Sequence, residues 1–140
     1  MEQKISVVCS GFLENDICQF LFLKRSNVNS WGVGQFQLPE GKMEWGEKPE
    51  ETLIRETKEE TDGKPTELSL TGYSTFQLQA KGNDYHVVRL IFKGKFEVEG
   101  DIKLSEDHTL YSWLSLDEAL MADLVPGIKE FITTNLMKKS

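Results

Sequence analysis

The stretch that decides the fold runs from Gly41 to Gly63 and reads GKMEWGEKPEETLIRETKEETDG. Pro49 suits the first turn of a helix, where its missing N–H costs nothing, and Gly63 supplies a stop. The spacing predicts a helix over 49–61 with a thin apolar face of Leu53, Ile54, Thr57 and Thr61. On such a helix Glu56, Glu59 and Glu60 fall within an arc of about 100°. Like charges at one-turn spacing repel, so this face needs compensation. One explanation is a solvated surface supported by a Glu51–Arg55 pair. The other is a hard divalent cation such as Mg²⁺, which prefers carboxylate oxygens and bridges to phosphates.

Working outward, residues 41–63 hold eight acids and four bases, a net of −4 within a total of −7 for 140 residues. The length suits one domain over 1–140 with a core of its own. With 39% hydrophobic and 28% charged residues, the chain has the composition of a globular protein and is too apolar for a disordered one. An acidic chain without a basic stripe is a poor general binder of nucleic acid. No apolar run approaches the ~18 residues of a membrane span. The opening MEQKISVVCSGF carries an acid and lacks a continuous apolar core, so no secretory leader is expected. Cys9 and Cys18 lie in apolar runs without metal or redox spacing. They read as reduced core residues of a cytoplasmic protein.

On the N-terminal side, residues 4–12 and 17–25 read as strands joined by a turn at 13–16. Residues 26–35 are a Ser/Asn/Gly-rich loop, 36–39 a short extended piece and 40–47 a second loop. Beyond the helix, 66–80 and 85–98 alternate as two longer strands around a turn at 81–84, and 111–114 ends the strand set. Ser115 and Glu118 form a capping box for a helix over 116–122. Pro126 opens a last helix with Ile128, Phe131, Ile132 and Leu136 on one face. The expected fold is α+β, an α/β/α sandwich with a mixed sheet flanked by helices.

The 41–63 stretch resembles the Nudix box, the signature of hydrolases that split nucleoside diphosphates linked to another group. It carries Gly41, Glu47, Arg55-Glu56 and Glu59-Glu60 at the box spacing. At residue frequencies of roughly 7%, chance would place those six in about one such chain in a hundred thousand. Asp62 stands where the family usually has Gly, Gly63 where it has an aliphatic residue, and Thr57 where it prefers one. Glu40 replaces the first glycine of a common LPGG. FLFLKR, GQFQLPEGKMEWGE, DYHVVRLIFKG and YSWLSLDEAL extend the likeness to about residues 5–132, toward the MutT-related nucleoside-triphosphate diphosphatases. Subclass markers for ADP-ribose and dinucleoside-polyphosphate hydrolases are absent, with Leu78 and Ala80 at their places.

The resemblance implies a divalent-metal-dependent hydrolase that cleaves a nucleoside triphosphate, including oxidised or non-standard ones, to monophosphate and pyrophosphate. Alternatives are another diphosphate (a nucleotide sugar, a dinucleotide, an isoprenyl diphosphate) or a non-catalytic nucleotide-binding regulator. It implies Mg²⁺, with Mn²⁺ as substitute, held by Glu56, Glu59, Glu60 and the main chain of Glu40. Arg55 and Glu47 pair to orient the carboxylates, and Glu56 serves as ligand and base. Substrate residues are Arg25, Phe36, Leu38, Tyr85, His86, Gly127 and Ile128. Glu106 stands where the family often places a further base or ligand. Trp31 reads as a loop anchor and Trp113 as core. A small nucleotide is the expected partner, nucleic acid and membrane are not, and close relatives point to a homodimer.

Overall fold

Three long alternating segments build the centre of a mixed sheet. The computed structural model describes residues 2–137. Its elements are β1 (Glu2–Glu14), β2 (Phe20–Arg25), β3 (Phe36–Gln37), β4 (Glu40–Lys42), α1 (Pro49–Thr61), β5 (Lys64–Ala80), β6 (Asn83–Glu97), β7 (His108–Leu114), α2 (Leu116–Leu120) and α3 (Ile128–Phe131). A π-helical turn, Ile132–Leu136, extends α3. The sheet order is β3-β2-β1-β6-β5, with β4 against β1 and β7 against β2. β1 runs parallel to β6, and the other pairs are antiparallel.

Strand periodicity sends Ser10 and Phe12 to one face beside Arg89 and Ile91, and Cys9 to the other beside Leu90 and Phe92. The first face carries the main core, where Phe12, Phe22, Leu38 and Ile91 meet Ala119, Val125, Ile128 and Phe131. The second face packs Cys9 and Phe92 on Leu53 of α1. Helices therefore cover both faces, as the expected α+β sandwich requires.

Helix α1 covers 49–61 as its sequence predicts. Its start is closed by the Lys48 N–H donating to Glu51 Oε1 at 2.7 Å. Its end is closed by Asp62, not Gly63: Asp62 adopts φ 68° and its N–H donates to the Lys58 carbonyl. The buried side is Thr52, Leu53, Thr57 and Thr61, and Ile54 points outward.

Several expectations change. Residues 17–19 form a turn rather than strand, because the Asn15 side chain accepts the N–H groups of Ile17 and Gln19. Cys18 sits in that turn with φ 60° and is exposed, so only Cys9 is a core cysteine. Residues 40–42, expected in a loop, are strand because β1 offers them partners from Val8 to Ser10. Strand β7 begins at His108, earlier than expected, because β2 pairs with it as far as Arg25. Trp113 is half-buried against Phe96 rather than central.

Candidate functional site

The loop between β4 and α1 is folded around Arg55. Its Nε donates to Glu47 Oε2 at 2.7 Å and its Nη2 to Glu47 Oε1 at 3.0 Å. The same guanidinium donates to Glu56 Oε1 at 2.8 Å, to Glu59 at 3.4 Å and to the Lys42 carbonyl at 3.1 Å. Glu47 also accepts from Thr52 Oγ1 and from the Glu44 N–H. The Arg55 guanidinium and the Glu44 N–H hold the Glu47 carboxyl down to about 2. One arginine thus ties the loop, the strand and two turns of the helix together.

Glu56, Glu59 and Glu60 lie on one helix but in different surroundings. Glu59 is exposed, Glu56 half-buried and Glu60 only 6% exposed. Burial pushes the Glu60 carboxyl well above the usual carboxylate range, with Glu56 adding to the effect. The Glu40 N–H donating to Glu60 Oε1 at 3.0 Å opposes it. Glu56 is also raised, mainly by burial, against the pull of Arg55. Gly41 lies over Glu56 so closely that a Cβ there would come 2.0 Å from its carboxyl carbon. Only glycine leaves room for that carboxylate.

Glu60, Glu40 and Gly41 form one wall of a cleft of about 220 Å³ whose other walls include Arg25, Gln37, Asp107 and His108. Arg25 is fixed by donation from Nε to the Trp31 carbonyl, by a bond to Gln37, and by stacking 4.1 Å from the Trp31 ring centroid. Burial draws the Arg25 guanidinium below its ordinary value. His108 is 6% exposed, its Nδ1 has no partner among the described residues, and burial lowers it to about 4. It is therefore neutral above that range. Past Trp31 a second cavity of about 260 Å³ continues over the sheet, walled by Phe76, Tyr85 and Val87.

Of the residues singled out in the sequence, Glu40, Glu60 and Arg25 line the first cleft, with Glu56 beside it under Gly41. Tyr85 lines the second. Its neighbour His86 points to the opposite face and is exposed, as strand alternation demands. Leu38 and Ile128 are fully buried in the main core, so they pack the fold and do not line a cleft. Phe36 is half-buried against the same core. Gly127 adopts φ 90° beside Ser74 and Arg89, at the start of α3. The Glu106 side chain is exposed and its carbonyl accepts from Ser26 Oγ, whereas its neighbour Asp107 is the one that lines the cleft. Glu40 sends its carboxylate away from Glu60 to Arg89, while its main chain faces Glu60. Trp31 does anchor the loop, and it also walls both cavities.

The sequence reading missed Arg89, His108 and Phe76. Arg89 carried a signal: it occupies an inward position of YHVVRLIF between Val87 and Ile91, and a buried arginine demands a carboxylate. The carboxylates are hard oxygen donors, the set that suits a cation such as Mg²⁺. The raised Glu60 and Glu56 are groups whose charge a cation would relieve. Among the described residues, no three acidic, His or Cys side chains converge on one point, and Arg55 donates to both Glu56 and Glu59.

Comparison with known proteins now bears on this arrangement. The family model described as NUDIX domain matches residues 4–134. The bis(5′-nucleosyl)-tetraphosphatase [asymmetrical] of Mus musculus is 30% identical over 109 residues, covering 76% of this chain and 71% of that protein. An ADP-ribose pyrophosphatase of Methanocaldococcus jannaschii is 37% identical over 103 residues, covering 73% of this chain and 57% of that protein. The crystal structure of a MutT protein from Methanosarcina mazei Go1 superposes with a TM-score of 0.81 at 30% identity, over 95% of this chain and 94% of the other. With the Glu47–Arg55 lock and the carboxylates of α1 in place, the chain belongs to the NUDIX domain family, as a Nudix pyrophosphohydrolase.

Proposed function

We propose that the protein hydrolyses a nucleoside triphosphate to nucleoside monophosphate and pyrophosphate, with Mg²⁺ as cofactor. The observation that carries this reading is the adjacency of two cavities that share Trp31 and Glu40 in their linings. One has carboxylates facing Arg25, which suits a cation-bound polyphosphate. The other is walled by Phe76, Tyr85 and Trp31 with Lys42 and Lys81 at its side, which suits a flat base beside an anionic group.

Glu56, Glu59 and Glu60 would hold the divalent ion, with the main chain of Glu40. A bound divalent ion supplies charge neutralisation at the phosphates and a more acidic water. The remaining work falls to the protein. Arg55 and Glu47 keep the helix carboxylates oriented. Arg25, pinned by Gln37 and Trp31, presents fixed positive charge to the phosphates as charge develops. Glu56, raised by burial, accepts the proton of the attacking water. Trp31 and Tyr85 hold the base.

A dinucleoside polyphosphate is the second reading, favoured by the likeness to the mouse tetraphosphatase. The test is a panel of nucleoside triphosphates, dinucleoside polyphosphates, ADP-ribose and a nucleotide sugar, each with Mg²⁺ or Mn²⁺, with products separated by chromatography. Monophosphate plus pyrophosphate from a triphosphate is the expected result. Turnover of dinucleoside polyphosphates alone would replace the first reading with the second.

A further inference from the structure

Glu40 stands where the family resemblance places a glycine, and its side chain is not free. Arg89 Nε donates to Glu40 Oε1 at 3.1 Å and Arg89 Nη2 to Glu40 Oε2 at 3.4 Å. Ser10 Oγ donates to the same Oε1 at 2.7 Å. Arg89 is 0% exposed and Glu40 8%, so the pair is buried at the edge of the cleft. The guanidinium is itself fixed from two further sides. Its Nη1 donates to the Pro126 carbonyl at 2.7 Å, and its carbon lies 4.7 Å from the Phe76 ring centroid.

The main chain of Glu40 meanwhile performs a different task. Its N–H holds Glu60 Oε1, and the next residue, Gly41, lies against Glu56. A buried ion pair recovers little more than its desolvation cost, so stability alone is a weak reason for this one. Its geometric consequence is direct. The residue clamped from behind by Arg89 is the residue whose backbone sets a carboxylate of the cleft.

We propose that Arg89 and Glu40 form a positioning pair, which locks β4 so that its main chain fixes Glu60 and Glu56 for cation binding. Neither side chain touches substrate in this role. The proposal rests on the reading of α1 as the cation-holding helix, and the test separates the two.

The probe is Mn²⁺ alone, titrated into substrate-free protein and followed by the paramagnetic resonance signal of free Mn²⁺. Kinetics with a substrate from the panel, split into kcat and KM, and a thermal melt accompany it. Arg89→Met should weaken Mn²⁺ binding at least tenfold and lower kcat at least thirtyfold, with KM within threefold of wild type. Arg89→Lys keeps the charge but loses the fork, so it should recover only part of both losses. Glu40→Gln/Arg89→Met carries no unpaired charge and keeps the test open if Arg89→Met does not fold. It should regain melting temperature without regaining Mn²⁺ affinity.

Wild-type Mn²⁺ affinity and kcat in any folded variant lacking Arg89 would overturn the positioning pair. So would a loss confined to KM. Absence of Mn²⁺ binding by the wild type would instead overturn the underlying reading of α1.

Discussion

At the scale of single residues, the site depends on what Arg55 can do that another cation cannot. Its planar group reaches both oxygens of Glu47, the Glu56 carboxylate and the Lys42 carbonyl at once. Lysine offers one ammonium on a flexible stem and cannot make that fork. Arg55→Lys should therefore lower kcat/KM by about 10–100-fold, the usual cost of losing a group that orients metal-side carboxylates. The melting temperature should fall only modestly, because lysine keeps one cationic partner for Glu47 at this half-buried position. Steady-state kinetics beside a melt decide it, and near-wild-type kcat/KM would sink the orienting role. Glu47, Arg55 and the helix glutamates were legible in the sequence because their spacing is local. Arg89 and His108 were not, because their roles come from strands brought together across the sheet. Arg89 meets Glu40 from 49 positions away, and His108 reaches the cleft only because β7 pairs with β2 up to Arg25.

At the scale of elements, local chemistry predicted what it controls. Helix α1 begins at Pro49 and the capping box at Ser115 forms as expected, since a few neighbouring residues set both. Strand β4 was hidden because three residues carry no period, and its hydrogen bonds come from β1. The family resemblance put Leu38 and Ile128 among the substrate residues, whereas here both are fully buried in the main core. The end of α1 shows a local departure with a measurable cost. Asp62 holds the left-handed conformation that glycine adopts without strain, and its ion pair with Lys58 is exposed. Such a pair is worth little. Asp62→Gly should therefore stabilise the protein by roughly 0.5–1 kcal/mol, seen as a rise in Tm of about 2–4 °C. A lower Tm in the variant would show that the Lys58 pair outweighs the backbone strain.

At the scale of the whole molecule, the net charge of −7 looks unsuited to a polyphosphate substrate. The structure shows where part of that charge is costly. Glu60 is nearly sealed, with Glu56, Glu40 and Asp107 as acidic neighbours, and its carboxyl is held well above the usual range, first by burial. A folded-state value above the unfolded one means that the native protein binds more protons between the two. Stability therefore falls as pH rises from about 4.5, the ordinary glutamate value, through the folded-state value of Glu60. Glutamine has the same shape and can still accept the Glu40 N–H, but it carries no charge to bury. Without divalent ions, Glu60→Gln should be more stable than wild type by roughly 0.5–2 kcal/mol near neutral pH, the usual scale for relieving a strained functional site. The difference should vanish below about pH 4.5, where both side chains are neutral. Mg²⁺ should then raise the Tm of wild type, because a ligand of the native state stabilises by mass action, and should raise that of Glu60→Gln much less. Thermal melts of both proteins across pH, with chelator and with Mg²⁺, measure each part. Equal stability at neutral pH would mean that the buried carboxylate costs nothing. An equal response to Mg²⁺ would mean that Glu60 does not hold the cation and would leave that task to Glu56 and Glu59.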